Sequence, residues 1–234
     1  MRGLWALLLI WAGHALAVTC EDIDFDGDSY TLCHVDVAQE DLRLFYKDAG
    51  GDVIGHFSGI AALPDVTELQ FAMNAGMYHD DRRPVGHYIE DGVEVMRVIP
   101  NAGPGNFGLL PNGVFCINAT SAKVYETLDY LARAPACRDA TQSVPMLVID
   151  SALHPRFLAD STSRCIRNGV GTSADGAQAV FAISNVPVTF HAFGRLFRDY
   201  LDMPNALYFD GKVSRMYSRH QGRSDYGFQL GPMV

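Results

Sequence analysis

The sequence has no run of lysine or arginine, and its 18 basic residues are outnumbered by 27 acidic ones, for a formal net charge of -9. Neutralising a nucleic-acid backbone requires clustered cations, so a nonspecific nucleic-acid binder is excluded. Neither a C-x-x-C nor an H-x-x-x-H pair occurs, which removes the common spacings of a structural zinc site. The glycine-rich stretch Asn101 to Gly108 lacks the Lys and Ser/Thr of a phosphate-binding P-loop. Beyond Leu4 to Ala12 no apolar run approaches the length of a membrane span. A fixed-period repeat, a low-complexity segment and a linker-like stretch are also missing, so one domain is expected.

What is present fits an exported chain. Residues 1–17 carry an early Arg2, the short apolar segment and Ala15-Leu16-Ala17, the pattern of a signal peptide with its cleavage site. Residues 18–234 would then form the mature domain, periplasmic or secreted. With 48% hydrophobic residues it has enough apolar material for a sizeable core. All five cysteines fall in that part, and an oxidising compartment favours disulfides with one thiol left over. Cys20 with Cys33 would close a small loop, and Cys137 with Cys165 a larger one.

Hydrophobic patterning gives the elements. Ser29 to Val37 and Leu42 to Tyr46 alternate like strands, and the acidic run Glu21 to Asp28 between signal and strand reads as a solvated loop. Its spaced aspartates lack the terminal Glu and flanking helices of a calcium loop. Asp91-Gly92 and Asp175-Gly176 mark hairpin turns, because both residue types tolerate positive φ. Thr189 to Leu201 has helical spacing, with Phe190, Phe193, Leu196 and Phe197 on a face assigned to the core. Thr127 to Ala134 reads as a short helix or strand end. Three apolar strands end on polar residues at Asn74, Asp150 and Asp210; running the same way in one sheet, they would share an edge and shape a polar cleft. The expected fold is α+β, a single domain with a mixed β-sheet and a few packed helices.

Several stretches taken together carry a resemblance. Asn74-Ala75-Gly76-Met77-Tyr78, Pro84-Val85-Gly86, Gly105-Asn106-Phe107, Pro111-Asn112-Gly113-Val114-Phe115, Gln142-Ser143-Val144-Pro145, Arg167-Asn168-Gly169-Val170-Gly171 and Asn205-Ala206-Leu207-Tyr208-Phe209-Asp210-Gly211 resemble the phosphodiester glycosidase family, in particular its bacterial exported branch. The resemblance implies a hydrolase that cleaves the glycosidic bond of a sugar 1-phosphodiester, with a phosphorylated glycan or small sugar phosphodiester as partner. Because a phosphate monoester is a good leaving group, the demands fall on neutralising the phosphate and stabilising an oxocarbenium-like transition state. Arg167 suits the first, since a guanidinium matches two phosphate oxygens. Asp210 suits the second as nucleophile or base, with Asp150 as second carboxylate. Asn74, Asn106, Asn112, Asn168 and His87 would contact sugar hydroxyls or phosphate. No cofactor is expected; the alternative with a divalent cation would need two or three carboxylates around one ion. A non-catalytic phosphoglycan-binding module on the same fold is the other alternative, because a fold does not fix an activity.

Overall fold

The computed structural model describes residues 18–103 and 109–234. Strands are numbered along the chain. A seven-stranded sheet holds β1 (Thr19–Phe25), β2 (Asp28–Asp36), β9 (Met146–Ile149), β10 (Ala152–Leu153), β11 (Asn168–Thr172), β12 (Gln178–Ser184) and β13 (Asn205–Asp210), in the order β1-β2-β12-β11-β13-β9-β10. A five-stranded sheet holds β4 (Tyr88–Glu90), β5 (Val93–Met96), β6 (Gly113–Ile117), β7 (Ala122–Glu126) and β8 (Asp139–Ser143), in the order β5-β4-β8-β6-β7. The smallest sheet places β14 (Met216–Ser218) between β3 (Phe71–Met73) and β15 (Arg223–Ser224). Helices are few: α1 (Phe57–Ala61), α2 (Thr127–Arg133) and α3 (Phe190–Arg195), the last running into a π-helical turn, Leu196–Tyr200.

The alternation in β13 explains how one strand serves two cores. Leu207 and Phe209 join the cluster between the sheets with Phe115, Met146 and Phe181, while Ala206 and Tyr208 face Phe193 and Phe197 on the other side. The helix therefore lies where its spacing predicts, with Thr189 Oγ1 accepting the Ala192 N–H as its N-cap.

The acidic run is not a loop. Glu21 to Phe25 belong to β1, and Asp26-Gly27, both at positive φ, make the hairpin turn into β2. Buried Cys20 and partly buried Ile23 and Phe25 supply the strand's apolar contacts while its carboxylates stay in water. Leu42 to Tyr46, expected as a strand, makes only an isolated bridge at Phe45 to Met233 of the C-terminal segment. The Asp175-Gly176 turn joins β11 to β12 as expected, through the longer connection 173–177.

The expectation that the ends at Asn74, Asp150 and Asp210 share an edge is overturned. β9 pairs with β13 antiparallel, and β3 lies in a different sheet. Asp150 therefore sits beside Asn205, where β13 begins, its N–H donating to Asn205 Oδ1 at 3.1 Å. Five residue steps of strand separate Asn205 from Asp210, about 17 Å.

Cys20–Cys33 is a disulfide, as expected, joining directly paired residues of β1 and β2. The second bridge is Cys116–Cys137, not Cys137–Cys165, because β6 and the segment after α2 bring those two Cα atoms to 5.5 Å. Cys165 is an exposed free thiol.

Candidate functional site

Where β13 ends against the start of β11, Asp210 stands opposite Asn168, and the register shifts between Asn168 and Gly169. Gly169 permits this irregularity: a Cβ there would come within 2.4 Å of the Leu207 carbonyl. The next residue after Asp210 is equally restricted, since a Cβ on Gly211 would fall 2.1 Å from the Tyr208 hydroxyl. The backbone at this corner is thus drawn in tightly around one carboxylate.

Asp210 is partly buried. Burial raises its pKa above the ordinary carboxylate value, and the backbone N–H groups of Lys212, Gly211 and Val213 oppose that rise. Of these, the Lys212 N–H lies 2.7 Å from Asp210 Oδ1. Behind it, Asn168 Oδ1 accepts the Asp210 N–H at 3.1 Å, and Asn168 Nδ2 donates to both the carbonyl (2.9 Å) and Oδ1 (3.0 Å) of Asn74. Asn74 Oδ1 also accepts the Arg215 N–H at 2.9 Å. Ser214 Oγ adds bonds to Asn168 Oδ1 and the Asp210 carbonyl. Two fully buried asparagines therefore fix the backbone that carries Asp210.

A cavity of about 390 Å³ opens in front of it. It is lined by Asp210, Gly211, Lys212, Cys165 and Arg167, with Met77, Val144, Pro145, Phe190 and Tyr208 supplying apolar and aromatic surface. Arg167 is 2% exposed. Its Nε donates to the Val188 carbonyl at 2.9 Å, Nη2 to the Ser163 carbonyl at 3.2 Å and Nη1 to the Tyr208 hydroxyl at 3.5 Å. Its guanidinium carbon lies 3.6 Å from the Phe190 ring centroid. Among the described residues no carboxylate comes within salt-bridge distance of it. Burial accordingly lowers its pKa from the ordinary arginine value. Among the described residues this buried cation is held by neutral dipoles and a π face, an arrangement that can receive an anion.

The residues singled out in the sequence divide. Asp210 and Arg167 line the same cavity. Asn74 and Asn168 sit directly behind Asp210, without lining the cavity. Asp150 lines a separate polar cavity with Lys123, Glu126 and Asn205. His87 is buried elsewhere, its ring between the Met96 carbonyl (2.9 Å) and the Tyr130 hydroxyl (3.0 Å), with burial lowering its pKa. Asn112 is buried and donates to the Ile99 carbonyl at 3.3 Å. Asn106 lies outside the described residues. Tyr208 and Phe190 line the cavity as well, and the sequence reading does not single them out. The signal for Tyr208 was period-two spacing, which puts it on the same face of β13 as Asp210; Phe190 read as core because its helical spacing matches Phe193.

A model of the phosphodiester glycosidase family matches residues 67–227. The chain is similar to the uncharacterized protein YigE of Escherichia coli, 31% identical over 206 residues, covering 87% of this chain and 80% of that protein. In fold it resembles the zebrafish N-acetylglucosamine-1-phosphodiester alpha-N-acetylglucosaminidase catalytic domain, auto-inhibited by its pro-peptide. That match has a TM-score of 0.59 and 14% identity over 92% of this chain and 80% of that one. A putative exported protein of Burkholderia pseudomallei matches with a TM-score of 0.54 at 11% identity, over 88% and 73% of the two chains.

Proposed function

Since the chain belongs to the phosphodiester glycosidase family, we propose that it hydrolyses the glycosidic bond of a sugar 1-phosphodiester, acting on envelope or extracellular glycans. The family and the fold support a glycosidase-type activity. The observation that carries the phosphodiester assignment is Arg167: a buried guanidinium that has no carboxylate partner among the described residues, in the same cavity as Asp210.

In this reading the substrate phosphate meets Arg167 and the anomeric carbon faces Asp210. The C1–O bond to phosphate breaks, the phosphate monoester departs with the bonding electrons, and water supplies the new oxygen at C1. Asp210 acts through its ionised carboxylate, as nucleophile or as base for that water. Glycosidases ordinarily use two carboxylates, and Asp210 is the single one lining this cavity among the described residues. A phosphate leaving group stabilised by Arg167 removes the need for a strong acid. The same solitary carboxylate also favours a second reading, a phosphoglycan-binding module.

The two disulfides, the resemblance to an exported protein and the lack, among the described residues, of a helix long and apolar enough to cross a membrane fit an extracellular location; we place the protein in the periplasm or outside the cell. The deciding experiment measures free sugar released from a panel of sugar 1-phosphodiesters, with and without chelator. Release independent of chelator is expected. No release from any member, with phosphoglycan binding retained, would leave the binding module.

A further inference from the structure

Two aromatic side chains stand almost wholly in solvent: Tyr226 is 96% exposed and Phe228 86%. From Gly222 to Phe228 exposure alternates residue by residue, as in an extended ribbon that shows one edge outward. The inward residues anchor it. Arg223 pairs with Asp225 at 2.9 Å, and Asp225 Oδ2 accepts the Met216 N–H at 3.0 Å. Gly227 lies against the Arg215 guanidinium, where a Cβ would come within 2.9 Å of Nη1. Arg215 Nη2 donates to the Phe228 carbonyl, and the Tyr78 hydroxyl donates to the Gln229 carbonyl at 3.3 Å. The outward rings make no ring contact or hydrogen bond among the described residues.

The ribbon is also tied to the site. Arg215 is bonded through its backbone to Asn74, Asn74 to Asn168, and Asn168 to Asp210. Tyr78 follows Met77, which lines the cavity.

We propose that Tyr226 and Phe228 form a stacking subsite for sugar residues of the substrate that lie outside the cavity, so that the preferred substrate is an oligosaccharide rather than a single sugar. This rests on the glycosyl phosphodiester reading above. One face of a pyranose is a flat array of C–H groups, which suits the electron-rich face of an aromatic ring. Neighbours two apart on an extended ribbon are spaced about 6.6 Å, which gives one ring to each of two adjoining sugars. The surroundings, Arg223, Ser224, Asp225 and Gln229, are polar. Two isolated rings fall well short of the roughly 800 Å² that each partner of a stable protein complex buries. The net charge of -9 opposes approach to an anionic bilayer.

The test titrates the mature protein with three neutral hexaoses, of β-1,4-glucose, β-1,4-N-acetylglucosamine and α-mannose, and with phosphatidylglycerol vesicles. It compares wild type with Tyr226→Ala/Phe228→Ala. Wild type is expected to bind at least one hexaose, and the double variant to bind it at least tenfold more weakly. Its melting temperature and its turnover of single-sugar 1-phosphodiesters should be unchanged. Equal hexaose affinity in the two proteins, or no hexaose binding by wild type, overturns the subsite. Vesicle binding that disappears in the variant overturns it too, giving the rings to lipid. Hexaose binding that depends on the rings, with no turnover of any phosphodiester, sinks the hydrolase reading and leaves the subsite standing.

Discussion

The Arg167 guanidinium carbon lies over the Phe190 ring, 3.6 Å from its centroid, and the same ring stacks on Phe157 with centroids 5.2 Å apart. Among the described residues the cation is held by an aromatic ring and three neutral oxygens, with no carboxylate within salt-bridge distance.

Replacing Arg167 tests that directly. Arg167→Met should lower kcat/KM for a sugar phosphodiester about 100-fold, the scale of one buried charge-assisted contact. Arg167→Lys should recover part of this, since it keeps the charge and loses the planar fork. Steady-state kinetics distinguish the two; an unchanged kcat/KM in Arg167→Met would detach the arginine from the substrate.

Asp210→Asn should reduce kcat by about 10³-fold with binding of a sugar phosphate retained within about threefold. Because burial raises the Asp210 pKa, the acid limb of the wild-type rate profile should lie above the ordinary carboxylate range. Turnover falls as pH drops through that raised pKa, where the carboxylate takes up its proton. A pH–rate profile locates the limb; one at or below the ordinary range contradicts the assignment.

Gly211→Ala should cost about 1–3 kcal/mol of stability through overpacking against the Tyr208 hydroxyl. Tyr208→Phe removes that oxygen, so the alanine should cost markedly less in its background. Urea denaturation of the four proteins measures the coupling, and additive costs would mean that the contact is relieved elsewhere.

Glu90 gives the fold a pH dependence away from the site. Burial is the main reason its pKa rises from 4.5 to about 7, opposed by hydrogen bonds from the Tyr88 hydroxyl and the Tyr46 N–H. Between those values the native protein keeps a proton that the unfolded chain has lost. Stability should therefore fall as pH rises from about 4.5 to about 7 and level off above. Glu90→Gln should flatten this slope and add about 1 kcal/mol at pH 8, after allowance for solvent screening. Denaturation midpoints at pH 5 and pH 8 check it.

Removing the Cys116–Cys137 bridge with paired alanines should cost about 3 kcal/mol, from the loop it closes. Cys165→Ser should change stability by less than about 0.5 kcal/mol, since that thiol is exposed. Thermal denaturation of both variants separates them.

Much of this was readable in the chain because it is local. The turns at Asp91-Gly92 and Asp175-Gly176, the Thr189 helix and the emergence of β13 at Asp210 follow from neighbours a few residues apart. Asp150 did not follow, because the direction in which β9 passes β13 depends on connections that periodicity does not encode. The partner of Cys137 depends likewise on how β6 and the segment after α2 approach. β1 was hidden by its aspartates, which a strand with one solvated face accommodates. Tyr208 is obscured by the apolar character of its strand, although its two-residue spacing from Asp210 points to the same face.

Asn74 and Asn168 are 94 positions apart, one just past the end of β3 and the other at the start of β11, and those two strands belong to different sheets. The corner that presents Asp210 is consequently not a portable motif: grafting β11 and β13 onto another scaffold would bring Asp210 and Asn168 without the Asn74 amide that braces Asn168 from across the seam. An engineer who wished to move this chemistry would have to transplant the junction itself.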